Sequence, residues 1–432
     1  PVAREHVTAY FKRNPQFAPI TTIPVDPEYQ LKGVKISVDT PADLELIENL
    51  HRELNAQPGD IEMRDLCRLL REKPQLLKAN AHILRKGIST KSIKILFRCD
   101  GDSELGMGHI VRCGALAQEL RDSHGCGAVF GVRQGTPGEQ AIRELGFPIL
   151  AKDNSAEDDW LPRTVKETGP DAVVLDIRTP VSNNALNLCK AQGALLAVID
   201  DIGDRRLSAD MVFYPPVPQV KQLDWTGFKG EVLSGWEWVI LRKEFFLLHK
   251  SRIPHQPQQL LVTMGGADPA GFVFRVIKAI EPLEKQFEVT VVTGKAFQKR
   301  AELEQAILGS KHHYALLNNV SNMVEIMENT DLAIASFGMT AYELATIGIP
   351  AVYLCLTDDH ALSAATFTEA GIGISAGTAA TFDEQKLCKD ISNALSQLTA
   401  MEQKLTQMQN LLDGKGAGRI AEHIMKRIEK RQ

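Results

Sequence analysis

The sequence contains no CxxC pair, and its seven cysteines are scattered and odd in number. That argues against a disulfide framework and a zinc site, and it fits a reducing, cytoplasmic setting. No apolar run approaches the roughly 20 residues that cross a bilayer, so no stable membrane insertion is expected. No signal peptide is expected. Basic charge is also short: Lys and Arg total 49 against 54 Asp and Glu, a net charge of −5. With an isoelectric point near 6.2, this argues against electrostatic binding of nucleic acid. The one basic cluster, MKRIEKRQ at the C-terminus, reads as a solvated helix end. An initial Met is lacking too: the chain begins PVAREHV, as if something upstream had been removed.

What is present is ordinary globular material: 432 residues, 44% hydrophobic and 24% charged, enough for two to four domains. Three blocks are legible. Residues 1–90 hold a strand around VKISV and a helix opening at TPADLELIENLHREL. Thr40 suits its N-cap, Pro41 its first turn, and Asp43 and Glu45 its positive end. A second helical stretch, DIEMRDLCRLLREK, and a linker, LRKGISTKS, follow. In residues 93–252, IKILFR, GAVFGV, DAVVLDI and LLAVIDDI read as buried strands with helical segments between most of them. After the Pro/Gln-rich linker HKSRIPHQPQQ, residues 257–432 repeat the plan with QLLVTMGG, FEVTVVT, DLAIASF and PAVYLCL, then turn helical from about residue 382. Such alternation predicts an α/β fold: two Rossmann-like domains with parallel sheets, a cleft between them, and a small N-terminal α/β fragment. Open α/β sheets bind ligands at the carboxyl ends of their strands.

Three strand-end stretches can carry chemistry. In DGDSELGMGHIVRC, Gly106 and Gly108 allow a sharp turn, and the helix that follows offers free N–H groups to an anion. His109 is either a catalyst or a helix-start residue, and Asp100 and Asp102 lie on its loop to orient an imidazole or simply to make the turn. In VTMGGADPAG, Gly265 and Gly266 either cradle a diphosphate or form a plain turn with Asp268 as N-cap. In ASFGMTAYELATIGIPAVYLCLTDDHALSA, Gly338 and Thr340 open a helix, and Glu343 is placed to accept ribose hydroxyls or to face solvent. Asp358, Asp359 and His360 form a polar cluster or a helix cap. Taken together, the three motifs point to a nucleotide diphosphate.

DGDSELGMGHIVRC, VIDDIGDRR, TMGGADP and FGMTAYELATIGIPAVYL resemble the UDP-2,4-diacetamido-2,4,6-trideoxy-β-L-altropyranose hydrolases of pseudaminic acid biosynthesis. They also resemble the related spore-coat polysaccharide proteins. Both are similar to GT-B glycosyltransferases of peptidoglycan synthesis. The resemblance covers residues from about 93 to 400. It implies a GT-B fold with a UDP-sugar in the cleft. His109 would be a general base that activates water against the anomeric carbon, releasing UDP. Glu343 would bind ribose, and Gly265 and Gly266 would approach the diphosphate. The family's DASSEIGxGH reads DGDSELGMGH here, and its Asn-Gln pair is replaced by Asp359 and His360, at positions that touch the sugar or nucleotide. No cofactor and no metal are implied. The alternatives are a GT-B glycosyltransferase, in which His109 deprotonates an acceptor hydroxyl, and a non-catalytic nucleotide-sugar binder.

REHVTAYFKRNPQF and KISVDTPADLELIENL in the first block resemble the C-terminal part of sugar-nucleotide cytidylyltransferases. Asp39 falls on that family's magnesium-binding Asp, but the nucleotide-binding half is lacking, and one carboxylate is not a metal site. The block is therefore expected to serve packing or homodimerisation. The fusion fits a route to nonulosonic acids, in which UDP is removed and CMP attached.

Overall fold

Short apolar runs build the sheets. AVVLD (Ala172–Asp176), LLAVI (Leu195–Ile199) and AVYLC (Ala351–Cys355) are buried along their whole length, as central parallel strands covered on both faces must be. The computed structural model describes residues 93–245 and 258–431 except 103, 104, 267, 321 and 382. Before them it describes residues 26–29, 31, 34, 36–38, 41–55 and 61–80.

In the first block, helices α1 (Pro41–Leu54) and α2 (Met63–Glu72) share a small leucine cluster that includes Leu46, Leu50, Leu66 and Leu70. The expected strand at VKISV is not formed: Val34, Ile36, Ser37 and Val38 are irregular. A strand needs a neighbour to complete its ladder, and none is found among the described residues of this block. Thr40 and Asp39 lie outside the described residues.

The first sheet comprises β1 (Lys94–Cys99), β2 (Gly127–Arg133), β3 (Ile149–Lys152), β4 (Ala172–Asp176), β5 (Leu195–Ile199), β6 (Met211–Tyr214) and β7 (Glu231–Ser234). All its pairings are parallel, in the order β3-β2-β1-β4-β5-β6-β7. The second holds β8 (Gln259–Thr263), β9 (Glu288–Thr293), β10 (His313–Asn318), β11 (Leu332–Ser336), β12 (Ala351–Cys355) and β13 (Gly373–Thr378). It is also parallel, in the order β10-β9-β8-β11-β12-β13. Both are doubly wound. The strand order reverses between β1 and β4 in one and between β8 and β11 in the other, and a ligand crevice opens at such a reversal.

Helix α3 (Gly108–His124) follows β1, α4 (Phe272–Ile280) follows β8, α5 (Met339–Ile347) follows β11 and α6 (Asp358–Glu369) follows β12. The last helix, α7 (Gly416–Glu429), returns to the first half. Its Ile420, Ile424 and Ile428 join that half's core, and Cys126 Sγ lies 3.4 Å from Met425 Sδ. Gly416 permits this return, because a Cβ there would collide with the Val239 carbonyl. The two halves are thus tied together behind the crevice. Among the described residues no helix is long and apolar enough to cross a membrane.

Candidate active site

His109 is the second residue of α3, which starts at the reversal between β1 and β4. Its Nδ1 lies 2.7 Å from Asp176 Oδ1, on the last residue of β4. Arg112, three residues along α3 and so on nearly the same helix face, grips the same carboxylate. Its Nε donates to Oδ2 at 2.6 Å and its Nη2 to Oδ1 at 2.7 Å. Arg112 Nη1 also donates to Asp200 Oδ2 at 2.8 Å. Asp200 sits just past β5 at φ +52°, a conformation that Asp tolerates better than most residues. The carboxyl ends of β4 and β5 therefore converge on the guanidinium that α3 supplies.

Burial pushes the Asp176 carboxyl up, but the Arg112 guanidinium and the His109 imidazole outweigh it and hold the group well below the usual carboxylate range. An ionised carboxylate can only accept, so the His109 proton is assigned to Nδ1 and the lone pair to Nε2. No described residue hydrogen-bonds that Nε2. The arrangement holds the imidazole in one orientation with its Nε2 free of protein partners among the described residues, the positioning logic of a carboxylate–histidine pair.

The orienting carboxylate is not the one that the loop suggested. Asp100 is buried: its Oδ2 takes Arg98 Nη2 at 2.8 Å and its Oδ1 the Arg133 N–H at 2.9 Å. Asp102 accepts from Leu105 N and Arg133 Nη2. Asp100 thus braces the loop from beneath instead of lining the crevice. Its partner Arg98 is itself buried and also held by Glu157. Gly106, at φ +75°, makes the turn.

The N-terminus of α3 faces that of α5. A Cβ at Gly108 would lie 3.6 Å from Met339 Cγ. Neither helix has a side chain capping its first N–H groups. Nothing lies within 4 Å of a Cβ placed at Gly338, whose backbone is extended, and Thr340 is half-buried one residue into α5. An uncapped, open helix start suits an anion. Helix α4 differs. Asp268 accepts from Phe272 N at 2.8 Å and Val273 N at 3.0 Å, so the capping reading of this motif describes those groups. Gly265 (φ +77°) and Gly266 still present open backbone, with nothing within 4 Å of either Cβ position.

Glu343 is buried on α5, its Oε1 3.1 Å from Arg242 Nη2. Burial raises its pKa, and Arg242 offsets part of that rise. It is therefore not a solvated helix carboxylate. Helix α6 is capped by Thr357, whose hydroxyl accepts the His360 N–H at 3.2 Å, and not by either aspartate. Asp359 Oδ1 and its carbonyl accept from Gln219 Nε2 of the first half, at 3.1 and 3.2 Å. His360 stacks obliquely on Phe337, ring centroids 6.1 Å apart.

Asp176, Arg112, Asp200 and Arg242 were not among the residues expected from sequence. Their signals were faint but present. AVVLD and LLAVID each end an apolar strand with a carboxylate, and Arg112 is a charge on an otherwise apolar helix stretch, three residues past His109.

Residues 260–424 match the glycosyltransferase family 28 C-terminal domain. Over 77% of its length the chain superposes on 99% of the MurG crystal structure from Acinetobacter baumannii, with a TM-score of 0.60 at 15% identity. The fold is GT-B. An uncharacterized protein of Methanocaldococcus jannaschii is 28% identical over 61% of this chain. The match spans 55% of that protein, about half its length. The spore coat polysaccharide biosynthesis protein SpsG of Bacillus subtilis is 22% identical over 74% of this chain and 94% of its own. The UDP-2,4-diacetamido-2,4,6-trideoxy-beta-L-altropyranose hydrolase of Campylobacter jejuni is 25% identical over 54% of this chain and 84% of its own. The chain is thus similar in sequence to SpsG and in fold to MurG. In this GT-B chain His109 and Glu343 stand on opposite halves, His109 at the start of α3 and Glu343 midway along α5.

Proposed function

We propose that the protein is a nucleotide-sugar enzyme that hydrolyses a UDP-linked diacetamido-trideoxyhexose at its anomeric carbon. The observation that carries this reading is the His109–Asp176–Arg112 cluster, set opposite the open start of α5. The 25% identical Campylobacter hydrolase adds the substrate class. In the proposed step His109 Nε2 takes a proton from water, and the water oxygen bonds to the anomeric carbon. The bond from that carbon to the β-phosphate oxygen breaks, and UDP leaves with the electron pair. The N–H groups at the start of α5 receive the charge that develops on the diphosphate. Glu343 accepts from the ribose hydroxyls, Gly338, Gly265 and Gly266 border the diphosphate, and Asp359 and His360 lie on the sugar side. The product feeds nonulosonic acid or surface polysaccharide synthesis in the cytoplasm. The cytidylyltransferase-like reading of residues 1–90 rests on their sequence motifs.

A second reading is a glycosyltransferase, in which an acceptor hydroxyl replaces water. The family 28 match and the likeness to MurG favour it. Phosphorus NMR of the protein with the UDP-sugar and no acceptor separates the two. UDP release that collapses in His109→Ala supports the hydrolase. Intact but bound UDP-sugar supports the transferase, and release unaffected by His109→Ala removes His109 from the chemistry.

A further inference from the structure

Asp200 uses half of its carboxylate in the cluster around Arg112. Its Oδ2 accepts from Arg112 Nη1 at 2.8 Å, and its Oδ1 has no partner among the described residues. The side chain is 22% exposed, whereas Asp176, on the same guanidinium, is 2% exposed. The cluster is therefore closed at Asp176 and open at Asp200. Asp200 also stands beside His109. Arg112 Nη2 lies 3.2 Å from His109 Nδ1, and Nη1, bonded to the same carbon, holds Asp200.

Neither the turn nor the bond to Arg112 requires a carboxylate at this position. At φ +52° the backbone is left-handed, a conformation that Asn and Gly adopt at least as easily as Asp. The bond to Arg112 needs one acceptor oxygen, which an Asn amide also has. The next residue, Asp201, has by contrast both oxygens engaged, by the Gly203 N–H and by Arg205. What the Asp200 carboxylate adds is Oδ1, a second oxygen that accepts and cannot donate. Two free acceptors thus flank the same guanidinium, His109 Nε2 and Asp200 Oδ1. A water molecule, with two hydrogens on its oxygen, can satisfy both.

We propose that Asp200 Oδ1 holds the second hydrogen of the attacking water while His109 Nε2 takes the first. This rests on the hydrolase reading and deepens it. In the step, one water proton passes to His109 Nε2, and a lone pair of the water oxygen forms the bond to the anomeric carbon. The bond from that carbon to the β-phosphate oxygen breaks, and its electron pair leaves with UDP. The hydrogen held by Asp200 stays on the oxygen and becomes that of the new anomeric hydroxyl. Fixing the water at two points sets the direction of its lone pair. An alcohol has one hydroxyl hydrogen. Once that is given to His109, the alcohol can turn only a lone pair or carbon toward Asp200, and a carboxylate favours neither. Asp200 therefore makes the site select water over a hydroxyl acceptor.

The test is turnover of UDP-2,4-diacetamido-2,4,6-trideoxy-β-L-altropyranose in about 10% methanol, with free sugar and methyl glycoside counted by mass spectrometry. Wild type should form methyl glycoside at least about tenfold below the share set by the methanol-to-water ratio. Asp200→Asn keeps an oxygen for Arg112 and turns an N–H to the water without opening space. It should slow UDP release at least about tenfold and raise the ratio of methyl glycoside to free sugar at least about fivefold, with UDP affinity by calorimetry within twofold. The ratio is read per turnover, so it does not depend on how much of the variant is folded. Asp200→Ser repeats the count if the Asn variant is too slow to read. A slower variant with the wild-type ratio would overturn the proposal and leave Asp200 as a brace for Arg112. So would wild-type turnover and ratio in Asp200→Asn, or methyl glycoside formed by wild type in the solvent proportion. No UDP release by wild type in water alone would instead overturn the hydrolase reading, and this inference with it.

Discussion

Replacing Asp176 by Asn keeps the shape of the side chain and removes its charge. The loss is specific. Asp176 accepts two short bonds from Arg112 and one from His109, and all three groups are buried or nearly so. Removing one partner of a buried ion pair typically costs about 3–5 kcal/mol. Asp200 still holds Arg112, so the lower end, about 3 kcal/mol, is expected. That is a large share of the roughly 5–15 kcal/mol that keeps a domain folded. The chemistry should suffer more. The Asn amide can donate to Nδ1, which moves the imidazole proton to Nε2 and abolishes the base. Loss of a positioned base lowers turnover about 10²–10⁴-fold. The sign of the acid response follows too. The folded pKa of Asp176 lies below its unfolded value of about 4. Its contribution is therefore complete above that value and drains away as the pH falls through and below it. Asp176→Asn should flatten this part of the acid limb. UDP release at neutral pH and urea melts at pH 7 and at pH 4 measure the two effects. Activity within threefold of wild type, together with an unchanged urea midpoint, would refute the assignment of Asp176 as the group that orients His109.

Three further outcomes are expected. Gly338→Val should leave the melting temperature unchanged, because its Cβ meets open space and its backbone is extended, yet lower UDP affinity at least tenfold by filling the space before α5. Unchanged affinity would move the diphosphate elsewhere. Glu343→Gln should weaken UDP and UMP equally, about tenfold or 1.4 kcal/mol, since ribose is common to both. A loss confined to UDP would exclude the ribose role. Gly294→Ala should destabilise the second half by about 1–3 kcal/mol, because the new methyl collides with the Gly266 backbone. A thermal melt matching wild type would show that the Gly265–Gly266 turn yields instead.

The strands were legible because a central parallel strand must be apolar throughout. IKILFR, DAVVLDI and PAVYLCL announce β1, β4 and β12 by composition alone. Edge strands were less visible. ILAK and HYALLN, which form β3 and β10, are partly exposed and carry mixed residues, so nothing in their composition sets them apart from a loop. VKISV shows the reverse failure, an alternating pattern with no neighbouring strand to pair with among the described residues.

The sequence by itself determined the two repeated α/β series and the three glycine turns, because residue types and their order along the chain decide local backbone shape. It also singled out His109, just past a strand-end glycine, and Glu343, five residues beyond one. Tertiary structure alone decided what those residues can do. Asp176 is 67 positions from His109 and meets it only because β4 lies beside β1 in the sheet. Gln219 and Asp359 meet only because α6 docks on the first half. A side chain's charge state and partners depend on the groups within a few ångströms of it, and in a doubly wound sheet those neighbours come from distant stretches of chain.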